Sequence, residues 1–512
     1  MKKILPISGT FLFSFYVVLS LYVHNISELT FGQIFLPIKI VFLFTLFFFL
    51  FFSVLLKNIN KTFLCTSITT IFLFLFGPFN ALIAGLIAKT VPYLYNLVYT
   101  FWFFLTSFLI LSVILKKNIS ENFVKVTFLI ILFLNSYVLA DLMVSSYKEK
   151  KNAVPAYTEI YGQKESVNNS KPTGDVPDIY FIILDRYLSN DTLKKNYGFD
   201  NSEFSTFLKD KGFYVMDSSH SNYLKTNHSL ASTLNMRYLD YLTEQVGRDS
   251  YNQNPLFRLI YNNEVVRYLK TKGYIYIHMG SWWEGTRINK NADYNINPYA
   301  LPEIVEMLYR NSVIYPLDNY VDVINFKERQ YKRILYQLEV LKKIPDINKP
   351  TFVFAHFLIT HPPYVFDKNG NLLKRPSGSK SEEREDYILQ VMNANSLIKS
   401  SVETILSKSS TLPVVIIQSD EGKYPYQINQ NDNYFDWFKA NDNEISEKLS
   451  IFNAIYIPGV DLKKTNAEFS PVNTFRLVFK NIFNENLELL PDKSYLFQNN
   501  FHPYLFKEWN PS

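Results

Sequence analysis

A single cysteine in 512 residues excludes an intrachain disulfide and any cluster of thiolate metal ligands, and that one, Cys65, lies in an apolar stretch. Arginine is absent from residues 1–145, which hold nine lysines and three acidic residues; the remainder carries 43 basic and 43 acidic residues. The overall charge of +6 therefore belongs entirely to the N-terminal part. The rest is balanced and has no basic stripe interleaved with aromatics, so nucleic acid is not an expected partner. No internal repeat or low-complexity tract is present. Without disulfides, a water-exposed domain must rest on its apolar core, and the roughly 335 residues after residue 176 suffice for one large core.

What is abundant is long hydrophobic runs. Residues 4–23, 38–56, 62–79, 95–115 and 123–144 are each near the length, about 20 residues, needed to cross a bilayer. The first does not read as a cleaved signal peptide, because it is long and no small-residue cleavage site follows. Five membrane helices are expected. Lys2, Lys3, Lys57, Lys61, Lys116 and Lys117 fall in alternate loops, which assigns those loops to the cytoplasm and everything after the fifth helix to the outside. Asn135 and Asp141 in the last run read as an interhelical hydrogen bond and an interfacial acid. Residues 80–94 are too irregular to cross and are expected along the outer surface.

The chain thus divides into a membrane domain (1–144), a polar linker (145–176) containing Pro155, Pro172 and Gly174, and an extracytoplasmic domain (177–512). In the last, apolar runs at 179–184, 213–216, 273–278, 351–358, 412–418 and 451–457 read as strands. They alternate with amphipathic stretches at 200–210, 228–240, 256–271, 319–343, 381–407 and 472–483. This alternation predicts an α/β domain with a largely parallel sheet, whose chemistry gathers beyond the carboxyl ends of the strands.

Two strands end in acids. Asp185 closes Ile179-Tyr180-Phe181-Ile182-Ile183-Leu184-Asp185, and Asp420-Glu421-Gly422 follows Val414-Val415-Ile416-Ile417-Gln418-Ser419. A carboxylate at the end of a buried strand needs a cation, Arg186 or a bound metal, to offset its desolvation. Lys225-Thr226-Asn227-His228-Ser229 opens a helix, where Thr226 serves either as an N-cap or as a nucleophile activated by a cation and the helix N-terminus. His361, in Thr360-His361-Pro362-Pro363-Tyr364, is held by the prolines and suits donation to a phosphate or sulfate oxygen. His356, inside its strand, reads as a satisfied core residue. His278 ends the third strand and precedes Gly280-Ser281-Trp282-Trp283, which fits either a headgroup pocket or aromatic packing under a loop.

In this order the motifs resemble the alkaline phosphatase/sulfatase superfamily, and within it lipoteichoic acid synthase and related phosphoglycerol or phosphoethanolamine transferases. The resemblance implies an alkaline phosphatase-like outer domain. It implies metal binding by Asp185, Thr226, Asp420 and Glu421, with Thr226 as the nucleophile assisted by Lys225 and His361. It also implies substrate contacts from His278, Trp282 and Trp283. The family's Ser-Asp-His-Gly stands here as Ser419-Asp420-Glu421-Gly422. A glutamate adds charge and a hard oxygen donor, which moves the expected single divalent ion from zinc toward manganese or magnesium. The formylglycine context of sulfatases is missing near Thr226. The activity implied is transfer of a phospho-headgroup from a membrane lipid to a cell-surface glycan or polymer through a phosphothreonine. The alternative is a catalytically silent relative that binds envelope lipid or glycan.

Overall fold

The computed structural model describes residues 4–26, 29, 31–86, 94–151, 176–317, 324–374, 380–428, 432–462 and 469–510. It forms two compact units, one of residues 1–151 with 301–325, the other of residues 152–300 with 326–512.

The first unit contains helices α1 (Ile4–His24), α2 (Phe35–Leu56), α3 (Ile59–Phe74), α4 (Phe76–Leu86), α5 (Leu94–Leu115) and α6 (Glu121–Lys151). Four of its helices are long and apolar enough to cross a membrane, or five spans exist if α3 and α4, bent by 63° at their junction, count as one. Asn58 caps α3 by accepting from the Asn60 and Lys61 amides. The bend falls at Leu75, just before Gly77-Pro78, where proline disfavours continuation of the preceding turn. Of the stretch expected along the outer surface, residues 80–86 are helical in α4 and 87–93 lie outside the described residues. Asn135 donates to the Ile131 carbonyl of its own helix rather than to a neighbour. Residues 145–151, expected as linker, continue α6, because Lys and Glu are good helix formers and polarity alone does not end a helix. Of the remaining linker, 152–175 lie outside the described residues.

Residues 301–317, assigned by sequence to the outer domain, pack within this unit. The helix Glu303–Arg310 buries Ile304 and Leu308 among Phe13, Val17 and Phe63, and Val313 lies with Phe76, Val98 and Trp102. Two backbone bonds complete the seam, Gly77 N–H to Asn311 O (2.9 Å) and Val313 N–H to Leu73 O (2.8 Å). A Cβ on Gly77 would come within 2.8 Å of the Asn311 Cα, so this approach requires glycine.

The second unit is an α/β domain. Its seven-stranded sheet runs β2-β7-β6-β1-β5-β3-β4, with β1 (Ile179–Leu184), β2 (Tyr214–His220), β3 (Ile275–Met279), β4 (Tyr294–Asn295), β5 (Thr351–Phe357), β6 (Val414–Gln418) and β7 (Ser450–Tyr456). Only β7 runs against its neighbours. A hairpin of β8 (Ser494–Phe497) and β9 (Phe506–Trp509) stands apart.

All six residues of β1 are buried, so its alternation separates two cores rather than core from solvent. Tyr180, Ile182 and Leu184 face helices Phe326–Leu341 and Lys380–Lys408. Ile179, Phe181 and Ile183 face helices Thr226–Asn235, Asn254–Tyr261, Glu264–Thr271 and Thr474–Phe483. The amphipathic run 256–271 is two helices because Asn263 caps the second through the Val266 amide (2.8 Å).

Candidate active site

Strand register assembles the site. Ile183 of β1 lies opposite His356 of β5 and Gln418 of β6, all three strands parallel. Asp185 is two residues beyond Ile183 and Asp420 two beyond Gln418. With a side-chain period of two, Asp185, His356 and Asp420 therefore point to one face, the face covered by the helix that begins at Thr226.

One ligand atom from each of the three lies within 4.8 Å of the others, and all three residues are buried. His356 Nε2 is 3.3 Å from Asp185 Oδ2. Its Nδ1 is held by the Thr286 hydroxyl (2.7 Å), which leaves Nε2 to face the acids. Among the described residues, Asp185 Oδ1, His356 Nε2 and both oxygens of Asp420 make no hydrogen bond of good geometry. Buried polar atoms left in this state are costly unless a cation offsets them, and two carboxylates with an imidazole are a suitable donor set for a divalent metal. The Thr226 hydroxyl interacts with Asp420 beside this group.

Charge follows this geometry. Burial alone would raise Asp185, but His361, His356 and Arg186 outweigh it and hold the carboxyl well below the usual range. Burial and then the Asp185 charge push Asp420 the other way. These are opposed shifts of neighbouring acids, as expected where two carboxyl groups share one buried site. Arg186 adopts φ +62°, a left-handed conformation that costs a non-glycine residue about 1 kcal/mol or more. The bond from Tyr187 N–H to Ser419 Oγ (3.1 Å) holds that turn.

Glu421, expected as a ligand, is engaged elsewhere. Its Oε1 accepts from Arg186 Nε (2.9 Å) and lies 3.0 Å from Lys448 Nζ, while Oε2 accepts from the Thr226 N–H (3.0 Å). It stands outside the convergent group, and His356, read from sequence as a core residue, takes the imidazole position. The signal for His356 was present in the register with Asp185 but not in any local motif.

His361 is half-buried, its ring edge-on to Trp282 at 5.5 Å between centroids. Its loop is tied to the site by the Thr360 hydroxyl, which donates to the Asp185 carbonyl. Nδ1 meets the Pro362 carbonyl and must carry the proton there, which leaves Nε2 as an acceptor. Burial, then Arg186, lower His361 to about 4. Trp282 donates to Gln330 Oε1 (3.0 Å), and Trp283 packs against Phe257 and the His356 ring; both are half-buried. Lys225 occupies the N-cap position with extended backbone and no side-chain cap bond. His278 departs from its expected substrate role. It is 1% exposed, and both ring nitrogens are spent, on Tyr276 Oη (2.9 Å) and the Thr286 carbonyl (2.6 Å). It fixes the loop carrying Thr286, the residue that orients His356.

Gly422 packs where a Cβ would lie 2.4 Å from the Glu447 carbonyl oxygen, and its N–H bonds the Lys448 carbonyl (2.9 Å). Close approach to the start of β7, rather than a tight turn, demands glycine there.

No protein-family model matches the chain, and no curated protein matches it. Solved structures do. The zinc complex of the C-terminal periplasmic domain of EcEptC from Escherichia coli is 12% identical with a TM-score of 0.43, over 66% of this chain and 94% of that one. A protein in the alkaline phosphatase superfamily from Vibrio parahaemolyticus is 10% identical with a TM-score of 0.38, over 64% and 74%. The integral membrane lipooligosaccharide phosphoethanolamine transferase A from Neisseria meningitidis is 13% identical with a TM-score of 0.37, over 93% and 95%. At this depth of likeness the chemistry must be argued from the side chains.

Proposed function

We propose that the chain is a membrane-anchored, metal-dependent enzyme of the alkaline phosphatase/sulfatase type. It moves a phospho-headgroup, of phosphoglycerol or phosphoethanolamine class, from a membrane lipid to a cell-surface glycan or polymer. The observation that carries this reading is the convergence of Asp185, His356 and Asp420 on one point beside the hydroxyl of Thr226 at a helix N-terminus. The lysine distribution in the apolar part supports an extracytoplasmic position at the plasma membrane for the α/β unit.

A divalent cation bound by the three side chains would lower the Thr226 hydroxyl pKa and offset charge on the phosphoryl oxygens. Thr226 Oγ forms a bond to phosphorus as the bond from phosphorus to the glyceride oxygen breaks, and the threonine proton ends on the released diacylglycerol. A hydroxyl of the acceptor then displaces Thr226, and its proton returns to the threonine oxygen. His361, neutral above about pH 4 with Nε2 unprotonated, would carry that proton in this reading. Lys225 supplies positive charge at the same helix end, and Trp282 and Trp283 border the site. Tethering raises the effective concentration of a lipid substrate.

The test is release of diacylglycerol from phosphatidylglycerol, and in parallel from phosphatidylethanolamine, by the full-length protein with manganese. Release that disappears in Thr226→Ala supports the reading. Binding of either lipid without release, unchanged by Thr226→Ala, favours a lipid-binding protein.

A further inference from the structure

We infer that Glu421 is a positioning residue for the Thr226 nucleophile, a role that rests on the function proposed above. Its two oxygens are divided between two tasks. Oε1 is pinned by Arg186 (2.9 Å) and Lys448 (3.0 Å), the latter fully buried and itself fixed to the Gly422 carbonyl at 2.9 Å. Oε2 accepts from the Thr226 amide at 3.0 Å. That amide belongs to the first residue of its helix, and the first four N–H groups of a helix have no partner within it. Lys225, at the cap position, makes no side-chain cap bond, so the carboxylate reaching across from the β6 end provides the cap.

The arrangement ties three elements into one frame. Arg186 directly follows Asp185, Glu421 directly follows Asp420, and Thr226 donates its N–H to that carboxylate. A shift of Thr226 relative to the two acids therefore has to stretch a charge-assisted bond held from two sides. The same pairing explains how a glutamate sits beside two other acids: Arg186 and Lys448 offset its charge, with both cations stacked against the Tyr424 ring. A ligand role would instead draw this carboxylate away from both buried cations.

Removing Glu421 alone would strand those cations, so the test is made in a Lys448→Met background, which leaves Arg186 with Asp185. Lys448→Met/Glu421→Gln keeps an oxygen for the Thr226 amide; Lys448→Met/Glu421→Leu does not. Three quantities are read on the full-length protein: manganese affinity by calorimetry, kcat and KM for diacylglycerol release, and hydrogen exchange of the peptide containing the Thr226 amide. Both double variants are expected to hold manganese within about threefold of wild type, since no metal ligand has changed. The Leu variant is expected to lose about 100-fold in kcat at similar KM, with faster exchange, while the Gln variant keeps both near the wild-type level. Loss of manganese affinity in both, or equal exchange in Gln and Leu variants, overturns the inference. A wild-type protein that binds manganese and shows the exchange difference but releases no diacylglycerol overturns the headgroup transfer and leaves the positioning role standing.

Discussion

His356 and Asp185 face each other from adjacent parallel strands, Nε2 to Oδ2 at 3.3 Å, with the imidazole steered by the Thr286 hydroxyl on its far nitrogen. If this pair is half of a metal site, His356→Ala lowers manganese or zinc affinity by about tenfold or more. Calorimetric titration of the full-length protein reads this directly. Unchanged affinity would remove His356 from the ligand set.

Thr226→Ala should cost little stability even as it abolishes turnover. Alanine keeps the N–H that bonds Glu421 and gives up only the interaction of the hydroxyl with Asp420. Thermal unfolding is expected within about 1 kcal/mol of wild type. A larger loss would make Thr226 a structural cap.

Gly422→Ala should destabilise the α/β unit by about 1–3 kcal/mol, because the added methyl meets carbonyl oxygens rather than a flexible side chain. Denaturant unfolding measures it. No change would mean that the start of β7 moves aside freely.

Acid should weaken the α/β unit through its buried histidines. Burial, opposed by the Thr286 carbonyl and aided by His356, lowers His278 from 6.5 to about 4. Above pH 6.5 the imidazole is neutral in both folded and unfolded chains. As pH falls from there toward 4, only the unfolded chain takes up the proton, and stability is lost by an amount on the order of 3 kcal/mol. His278→Gln is expected to make the loss of stability between pH 7 and 4 shallower, with His228 and His361, lowered by burial in the same way, carrying what remains; an unchanged slope would assign the acid sensitivity to those groups.

Much of this was legible in the chain because apolar runs of strand length and polar strand ends are local patterns. All six strands expected from sequence are present, within one or two residues at most ends, and Asp185 and Asp420 stand where strand ends place them. β4, β8 and β9, of two to four residues, carry too little pattern to be read. His278, His356 and Glu421 are set apart by what lies opposite them rather than by their own surroundings along the chain. A histidine in a strand looks like core until the register shows which acid it faces. A glutamate beside an aspartate looks like a ligand until Arg186 and Lys448, over two hundred residues apart, are found on it.

Gly77→Val should loosen the segment 301–317 from the apolar helices, since the valine side chain cannot fit against Asn311. Faster hydrogen exchange at Val313, whose N–H bonds Leu73, is the expected readout. Wild-type protection there would show the seam to be held by Ile304 and Leu308 alone.

That seam also sets an order of events in biosynthesis. When α6 has been made, the apolar helices still lack the side chains of Ile304, Leu308 and Val313, and Gly77 still lacks its backbone partner. These arrive only after β1 to β4 have been synthesised and before β5 and β6, which complete the site, exist. Packing of the membrane helices is thus a long-range event in the chain, closing late and slowly as contacts of large sequence separation do. A ribosome that stalls near residue 300 leaves a membrane protein with an unfinished surface, open to quality control while the sheet is still half made.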